Sequence, residues 1–368
     1  MTLAYRNHMD HLLIIEPNLR NPSGHYAEFV RAAGTCGEVI EVYAHPDADE
    51  MLLEMPGVKI CTTEPRTGQP LAEWRTIARS VRDEPPFLVL TADGRHSAAV
   101  AISAAFHSNK PEMASLFFHR APSTLRDKLL LPFAALAKKY ALAIAPTEHV
   151  AESLRTTGWR RVVCVPYPAI GAQVPPQPVP FSHLLMAGAA RLNKGLDIIT
   201  EVAVQWAKEE RTIPLFVQVS KKHAAKHGHR EAGVVETLLS SGYAGLVTDE
   251  TPPGRSEYLK RFTGALVLAP YDLERFANHV SGVVLDALLH GAPAIATRGT
   301  WAGEQIERFG AGETISERTP AALIAAIDKV TADWQTYASK ACAAAQVLAS
   351  EHDPRHLLEI MSREAMKK

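Results

Sequence analysis

Short apolar runs alternate with longer helical segments along most of this chain, and this order restricts the fold more than any other feature. Several runs in the first half have the length and composition of buried strands: His11–Ile15, Val39–Ala44, Phe87–Thr91, Ala114–Phe118, Ala141–Ala145 and Val162–Val165. Segments with helical spacing lie between them: His25–Ala33, Leu71–Val81, Ser97–Phe106, Ser123–Lys139 and Glu148–Thr156. Because strands joined through helices run parallel and are covered on both faces, the first half is predicted as a doubly wound α/β domain.

The same alternation starts again in the second half of the chain. The predicted strands are His183–Ala187, Leu215–Val219, Ala265–Leu268 and Ala294–Thr297. The predicted helices are Leu196–Lys208, Tyr258–Phe262, Ser281–His290 and Trp301–Phe309. The sequence therefore predicts two Rossmann-like domains facing a cleft, with the ligand site at the carboxyl ends of the strands.

A proline-rich stretch without periodicity separates the two series. We interpret residues 171–181 as a stiff linker between a first domain, 1–170, and a second domain, 182–350. The remaining segment, 351–368, is predicted as a helix that packs back on the first domain.

Composition narrows the classes of partner. The chain has 368 residues and a formal net charge of −1, so no overall field attracts nucleic acid, and we expect no such partner. The four cysteines lack the spacing of a disulfide framework or a metal site, which is typical of a reduced cytoplasmic protein. No stretch approaches the roughly twenty apolar residues of a membrane span.

A glycine-fenced basic turn, GAARLNKG, occupies residues 188–195 between a predicted strand and a predicted helix. Arg191 and Lys194 lie within it. Such a turn directs backbone N–H groups and the positive end of a helix dipole at one point. We interpret the turn as a site for more than one negative charge, and the alternative is an ordinary solvated loop.

A second cluster, YDLERFANHVSGVVLDALLHGAPAIAT, spans residues 271–297. Ser281 and Gly282 precede an apolar helix whose first N–H groups can hold an anion. Asp286 lies further along this helix, and seven residues separate it from Asn278. We interpret Asp286 as a carboxylate that accepts hydrogen bonds from a sugar diol. The alternative is an ordinary carboxylate on a helix surface. The apolar neighbours of Asp286 in the sequence weaken this alternative, because they indicate that the helix is largely buried.

Together these clusters resemble the C-terminal domain of retaining GT-B glycosyltransferases of family 4, and the resemblance extends more weakly over the N-terminal half. GAARLNKG resembles a family variant in which Gly188 and Lys194 stand six residues apart with Arg191 midway. The resemblance implies that Arg191 and Lys194 bind the diphosphate of a nucleotide-sugar donor beside Gly188. It also implies that residues 1–170 form the acceptor side and residues 182–350 the donor-binding domain.

The second cluster resembles the family pattern of Pro-Tyr, then Ser-Gly-Val, then Gly-x-Pro. The resemblance implies that N–H groups at Ser281, Gly282 and Val283 hold phosphate oxygens. Asn278 and Asp286 fall on the two glutamate positions of the family, of which the second holds the ribose.

This sequence departs from the family pattern at three places. Asn278 removes a negative charge that the family places near the donor sugar. Asn278 and His279 are both expected to face that sugar. Asp286 has a shorter reach than glutamate. The segment VSKKH, Val219–His223, stands where many members carry a glycine pair.

The N-terminal half offers two further candidates. Gly24, after Ser23, resembles the glycine loop that faces the donor phosphates and the acceptor, and the alternative is a tight turn that caps a helix. His119 follows a predicted strand at the position where the family often has a histidine beside the donor sugar. Its alternative is an ordinary hydrogen-bonded histidine.

Two sequence motifs could in principle bind a metal ion, but for each of them we favour an interpretation without a metal. Asp47-Ala48-Asp49 resembles the Asp-x-Asp string that holds a divalent cation, but its place before a helical segment favours helix capping. His223, His227 and His229 have spacing that suits zinc, but neighbouring lysines and arginines oppose a cation. We therefore expect no metal and no cofactor other than the donor.

The segment Ser123–Lys139 mixes leucines with cations, and Pro132 interrupts it. A core helix with charged ends is the favoured interpretation. The alternative is an interfacial helix that brings the protein to the inner face of the membrane and to lipid-linked acceptors.

The expected function is sugar transfer from a nucleotide-sugar to a hydroxyl acceptor, such as a glycan or a lipid-linked glycan, in glycan or glycoconjugate biosynthesis. The resemblance implies a hexosyltransferase-like, metal-independent enzyme that retains the anomeric configuration. Two alternatives remain: an epimerase or hydrolase of nucleotide-sugars on the same fold, and a non-catalytic nucleotide-sugar-binding protein.

Overall fold

The computed structural model describes residues 11–20, 24–36, 39–45, 48, 55, 57–62, 69–83, 86–108, 110–120, 125–219, 228–251 and 253–366. The chain divides into two compact units. The first unit comprises Met1–Ile170 and His352–Lys368, and the second comprises Gly171–Glu351. Of the helices in the described ranges, none has both the length and the hydropathy that a membrane span requires.

The first unit contains a seven-stranded parallel sheet with the order β3-β2-β1-β4-β5-β6-β7. Its strands are β1 His11–Ile15, β2 Val39–Ala44, β3 Val58–Thr62, β4 Phe87–Val89, β5 Ala114–Phe117, β6 Leu142–Ala145 and β7 Val162–Cys164. Its helices up to the linker are α1 His25–Gly34, α2 Gln69–Asp83, α3 Gly94–His107, α4 Leu125–Leu130, α5 Ala135–Tyr140 and α6 Glu148–Thr156. The order of the strands reverses between β1 and β4, which is the switch point of a doubly wound sheet.

The central strands of this sheet are short apolar runs because both faces are covered by helices. Ile14, Leu116 and Ile144 are completely buried, and burying a side chain of this size contributes about 1.5–3 kcal/mol. Side-chain caps fix where helices begin: Asp93 accepts hydrogen bonds from two N–H groups at the start of α3, and Thr147 caps α6.

The second unit contains a six-stranded parallel sheet with the order β10-β9-β8-β11-β12-β13. Its strands are β8 His183–Met186, β9 Leu215–Gln218, β10 Leu246–Asp249, β11 Ala265–Ala269, β12 Ala294–Thr297 and β13 Gly312–Ile315. Its helices are α7 Leu196–Lys208, α8 His229–Leu239, α9 Arg255–Lys260, α10 Leu273–Phe276, α11 Gly282–Leu289, α12 Trp301–Phe309, α13 Pro320–Ala332 and α14 Trp334–Glu351. Here the order of the strands reverses between β8 and β11.

The predicted fold class is confirmed, since both units are doubly wound parallel α/β structures. The strands β3, β10 and β13 were not predicted, and each lies at the edge of its sheet. The single helix predicted over Ser123–Lys139 is wrong in the described part. A 3₁₀ helix at Leu131–Ala134 separates α4 from α5, because Pro132 has no N–H group to continue the helix.

Residues 171–181, predicted as a linker, contain no helix or strand and form the start of the second unit. The indole N–H of Trp334 donates a hydrogen bond to the carbonyl of Val179 at 2.7 Å. The rings of Phe181 and Trp334 are 5.1 Å apart. These contacts fasten the segment to the first turn of α14.

The last helix, α15 at Pro354–Met366, belongs to the first unit. Arg161, just before β7, fastens its end. One guanidinium nitrogen donates to the carbonyls of Tyr140 at 2.7 Å and Glu112 at 3.3 Å, and the other donates to the carbonyl of Glu364. The guanidinium thus links α15 to the amino-terminal edge of the sheet.

We predict that Arg161→Ala releases the end of α15. The substitution removes the hydrogen bonds that the guanidinium group donates to three carbonyls, and charged hydrogen bonds contribute about 1.5–3 kcal/mol each. Limited proteolysis with mass spectrometry should therefore detect faster cleavage after residue 354 in the variant. Arg160→Ala is the matched control, because Arg160 is exposed. Equal cleavage rates in the two variants would contradict the anchoring role.

Candidate functional site

The basic turn lies at the carboxyl end of β8, at the switch point of the second sheet. Gly188 has φ +72°, Leu192–Lys194 form a 3₁₀ helix, and Gly195 has φ +86° where α7 begins. A Cβ atom on Gly195 would lie 2.5 Å from Cγ of Pro270. Only glycine fits this position, so the turn is pressed against the loop that follows β11.

The protein itself uses several backbone donors of this turn. The N–H groups of Lys194 and Leu196 donate to the carbonyl of Arg191 at 3.0 and 3.1 Å. The N–H group of Leu192 donates to Oε2 of the buried Glu231 at 3.2 Å. The expectation that the backbone of the turn faces an anion is therefore wrong at these positions. The basic turn can still attract an anion through the cationic side chains of Arg191 and Lys194.

Arg191 and Lys194 are both half-buried and lie close enough to affect each other. Burial, and then the charge of Arg191, lower the pKa of Lys194 to about 8. The Nε atom of Arg191 is buried without a hydrogen-bond partner. Within the ranges that the structure describes, neither cation forms an ion pair with a carboxylate. Two adjacent positive charges without counter-charges favour binding of an anion.

Tyr271 connects the cations to the second cluster. The ammonium group of Lys194 is 5.8 Å from the centroid of the Tyr271 ring, within the range of a cation–π contact. Burial raises the pKa of Tyr271 to about 12, against a smaller opposing effect of the nearby Ser281 side chain. Ser281 Oγ in turn accepts a hydrogen bond from the N–H group of Val284 at 3.3 Å. The basic turn and the start of α11 thus lie on either side of Tyr271.

The first turn of α11 lies close to Gly188 of the basic turn. Gly282 and Val283 are the first two residues after the Ser281 cap, and their N–H groups have no partner inside the helix. A Cβ atom on Gly188 would lie 3.4 Å from Cγ2 of Val283 and 3.8 Å from Nζ of Lys194. The structure therefore brings Gly188, Lys194 and the N-terminus of α11 together, and the helix dipole adds to the positive potential.

Asp286 lies on α11, half-buried, and it has a protein partner that the sequence did not reveal. The hydroxyl group of Tyr258 donates a hydrogen bond to Oδ2 of Asp286 at 2.9 Å. Asn278 and His279 follow α10 and are half-buried. The His279 ring is 6.0 Å from the ring of Phe276.

Gly24 and His119 belong to the first unit, where they lie at the carboxyl edge of its own sheet. Gly24 has φ +97° at the start of α1, and a Cβ atom there would meet no atom within 4 Å. His119 Nε2 is 2.9 Å from the carbonyl oxygen of Leu90. This contact agrees with the alternative interpretation of His119 as an ordinary hydrogen-bonded histidine. Its ring is 5.8 Å from that of His25, the neighbour of Gly24.

Several candidate residues of the sequence lie outside the described ranges: Ser23, Asp47, Asp49, His223 and His227. Within those ranges, no three side chains of the metal-binding types come together. Sequence reasoning missed Glu231, Tyr258 and Tyr271 as parts of the site. Tyr271 lies in the quoted second cluster, whereas nothing near Glu231 or Tyr258 in the sequence marks them.

No family model matches the chain, and no curated protein matches it. Solved structures with the same fold include HepE from Anabaena in complex with UDP and glucose, at 16% identity over 98% of this chain and 100% of that chain, with a TM-score of 0.72. Sucrose-phosphate synthase from Thermosynechococcus elongatus matches at 14% identity over 96% and 98%, with a TM-score of 0.67. A glycosyltransferase from Rickettsia africae matches at 13% identity over 97% and 99%, with a TM-score of 0.66. The fold is the GT-B type.

We predict that Lys194 titrates near pH 8 rather than near its ordinary value of 10.5. Competitive acetylation across a pH series, read by mass spectrometry, measures this midpoint, with the exposed Lys208 of α7 as the reference lysine. Arg191→Gln should raise the midpoint, because it removes the neighbouring positive charge. A midpoint near 10.5 in the wild-type protein would show that the ammonium group is well hydrated.

Proposed function

We propose that this protein is a glycosyltransferase that moves a sugar from a nucleotide-sugar donor to a hydroxyl acceptor. The observation that carries this proposal is the pair of cations Arg191 and Lys194, which have no carboxylate partner among the described residues, beside the N-terminus of α11. A nucleoside diphosphate presents several negative charges on adjacent phosphates, which suits two adjacent cations. Fold neighbours that contain UDP or UDP-glucose support the same ligand class.

The main catalytic requirement of this reaction is to stabilise the departing diphosphate. As the bond between the anomeric carbon and the phosphate oxygen breaks, negative charge increases on that oxygen. In this proposal Arg191, Lys194 and the N–H groups of Gly282 and Val283 stabilise it. A charged hydrogen bond contributes about 1.5–3 kcal/mol, or roughly ten- to a hundredfold in rate.

We propose that transfer retains the anomeric configuration. The acceptor oxygen forms its bond to the anomeric carbon on the face that the diphosphate leaves, and the acceptor proton passes to the leaving phosphate oxygen. This route needs no pair of catalytic carboxylates. Asp286 would bind the ribose, while Asn278, His279 and His119 would face the donor sugar and Gly24 its phosphates.

We propose that no divalent metal takes part. Two fixed cations and a helix N-terminus supply positive charge at the leaving group, which is the role a bound Mg²⁺ fills in metal-dependent transferases. The acceptor class expected from the sequence is a glycan or a lipid-linked glycan, reached from the cytoplasm at the inner face of the membrane.

A donor panel tests the proposed activity. Purified protein is incubated with UDP-, GDP- and ADP-sugars and with glycan or lipid-linked acceptors, before and after exhaustive EDTA treatment. We expect a glycoside whose anomeric configuration by NMR matches the donor, with full activity after EDTA. Free sugar or an isomer of the donor would indicate a hydrolase or an epimerase, and binding without turnover a non-catalytic protein. Loss of activity in EDTA, with recovery in Mn²⁺, would contradict metal independence.

We predict that Arg191→Ala and Lys194→Ala each lower kcat/KM for the donor by roughly ten- to a hundredfold. Their melting temperatures should stay close to that of the wild type, because each substitution removes a partly buried charge that forms no ion pair within the described residues. Lys208→Ala is the matched control, since Lys208 is an exposed cation on α7, the helix that follows the turn. Near-normal turnover in both site variants would remove the basis of the assignment.

A further inference from the structure

Arg318 lies between β13 and α13, far along the chain from the basic turn, and it is half-buried. Its Nε atom donates a hydrogen bond to the carbonyl of Pro270 at 2.9 Å. Its Nη2 atom donates to the carbonyl of Leu192 at 3.4 Å. The guanidinium group also has two carboxylates nearby, Asp197 at 3.8 Å and Asp272 at 3.7 Å.

These partners belong to two separate segments of the second unit. Leu192 and Asp197 lie in the basic turn and in the first turn of α7, whereas Pro270 and Asp272 lie in the loop after β11. The two segments also meet directly, because the N–H group of Asp272 donates to the carbonyl of Asn193 at 2.9 Å. The guanidinium group of Arg318 therefore donates hydrogen bonds to both segments and links the basic turn to the loop after β11.

The charge around Arg318 differs from the charge around the two cations of the site. Asp197 and Asp272 balance its guanidinium, and two carbonyls accept its N–H groups. Arg191 and Lys194 have no such carboxylates among the described residues. A cation whose donors are already occupied and whose charge is balanced attracts a diphosphate less than an unpaired one.

We propose that Arg318 is a positioning residue that holds the turn Leu192–Lys194 against the loop after β11, and thereby keeps the ammonium group of Lys194 beside Tyr271 and Gly188. The consequence for catalysis rests on the proposed function. The consequence for the geometry of the turn does not.

The test measures two quantities in Arg318→Ala and Arg318→Lys. The first is the titration midpoint of Lys194 by competitive acetylation, which needs no substrate. The second is the affinity for inorganic pyrophosphate by calorimetry, a probe of the diphosphate site that is independent of the base and the sugar. Arg298→Ala is the matched control, because Arg298 also makes hydrogen bonds beside β13, to Thr314 and Ser316, but has no bond to the turn.

In both Arg318 variants we expect the midpoint of Lys194 to rise by about one pH unit, since a loosened turn exposes the ammonium group to water. Pyrophosphate affinity should fall roughly tenfold, the usual effect of losing one charged contact. Lysine keeps the charge but cannot reach both carbonyls as a fork, so it should not restore either quantity. The control should leave both quantities at their wild-type values.

A double variant tests whether Arg318 acts through Lys194. If it does, Arg318→Ala combined with Lys194→Ala binds pyrophosphate no more weakly than Lys194→Ala alone. Additive losses, or full recovery in Arg318→Lys, would overturn the positioning role, as would an unchanged Lys194 midpoint in a folded Arg318 variant. If the donor panel finds no transferase activity, the midpoint of Lys194 still decides this proposal by itself.

Discussion

Two parallel neighbouring strands must be joined by a crossover connection that returns along one face of the sheet, usually as a helix. This constraint determines the architecture of both units of the protein. Each crossing starts at the carboxyl edge, so the loops and helix N-termini collect there. In the second unit, β8 and β11 are neighbours at the point where the strand order reverses, and their following segments turn to opposite sides. The basic turn and the loop at 270–281 therefore flank the same part of the edge.

The electrostatic character of this edge depends on which charges are balanced. Arg318 has carboxylates and carbonyls around it, whereas Arg191 and Lys194 face each other without a counter-charge among the described residues. Holding two like charges in a partly buried place is unfavourable in the absence of a ligand. The contact of the Lys194 ammonium group with the ring of Tyr271 helps to keep this arrangement in place. An anionic ligand would relieve the repulsion.

Sequence reasoning located every central strand of the two sheets, but of the four edge strands it located only β7. The central strands are buried on both faces, as the completely buried Ile14 of β1 and Leu184 of β8 illustrate. Such strands therefore appear in the sequence as uninterrupted apolar runs. The edge strands β3, β10 and β13 are partly exposed and mix polar with apolar residues; Val247 of β10, for example, is 42% exposed. Their pairing is decided by the neighbouring strand, which a local pattern does not record.

By itself, the sequence determined the doubly wound class, the placement of Arg191 and Lys194 in a strand-to-helix turn, and the Ser281 cap, because each depends on residues close together in the chain. Only the tertiary structure decided what those groups contact. Leu192 meets Arg318 across 126 positions of sequence, and Tyr258 meets Asp286 across 28. Such pairs form because strand order brings distant loops to one edge, and that order is a property of how the whole sheet packs.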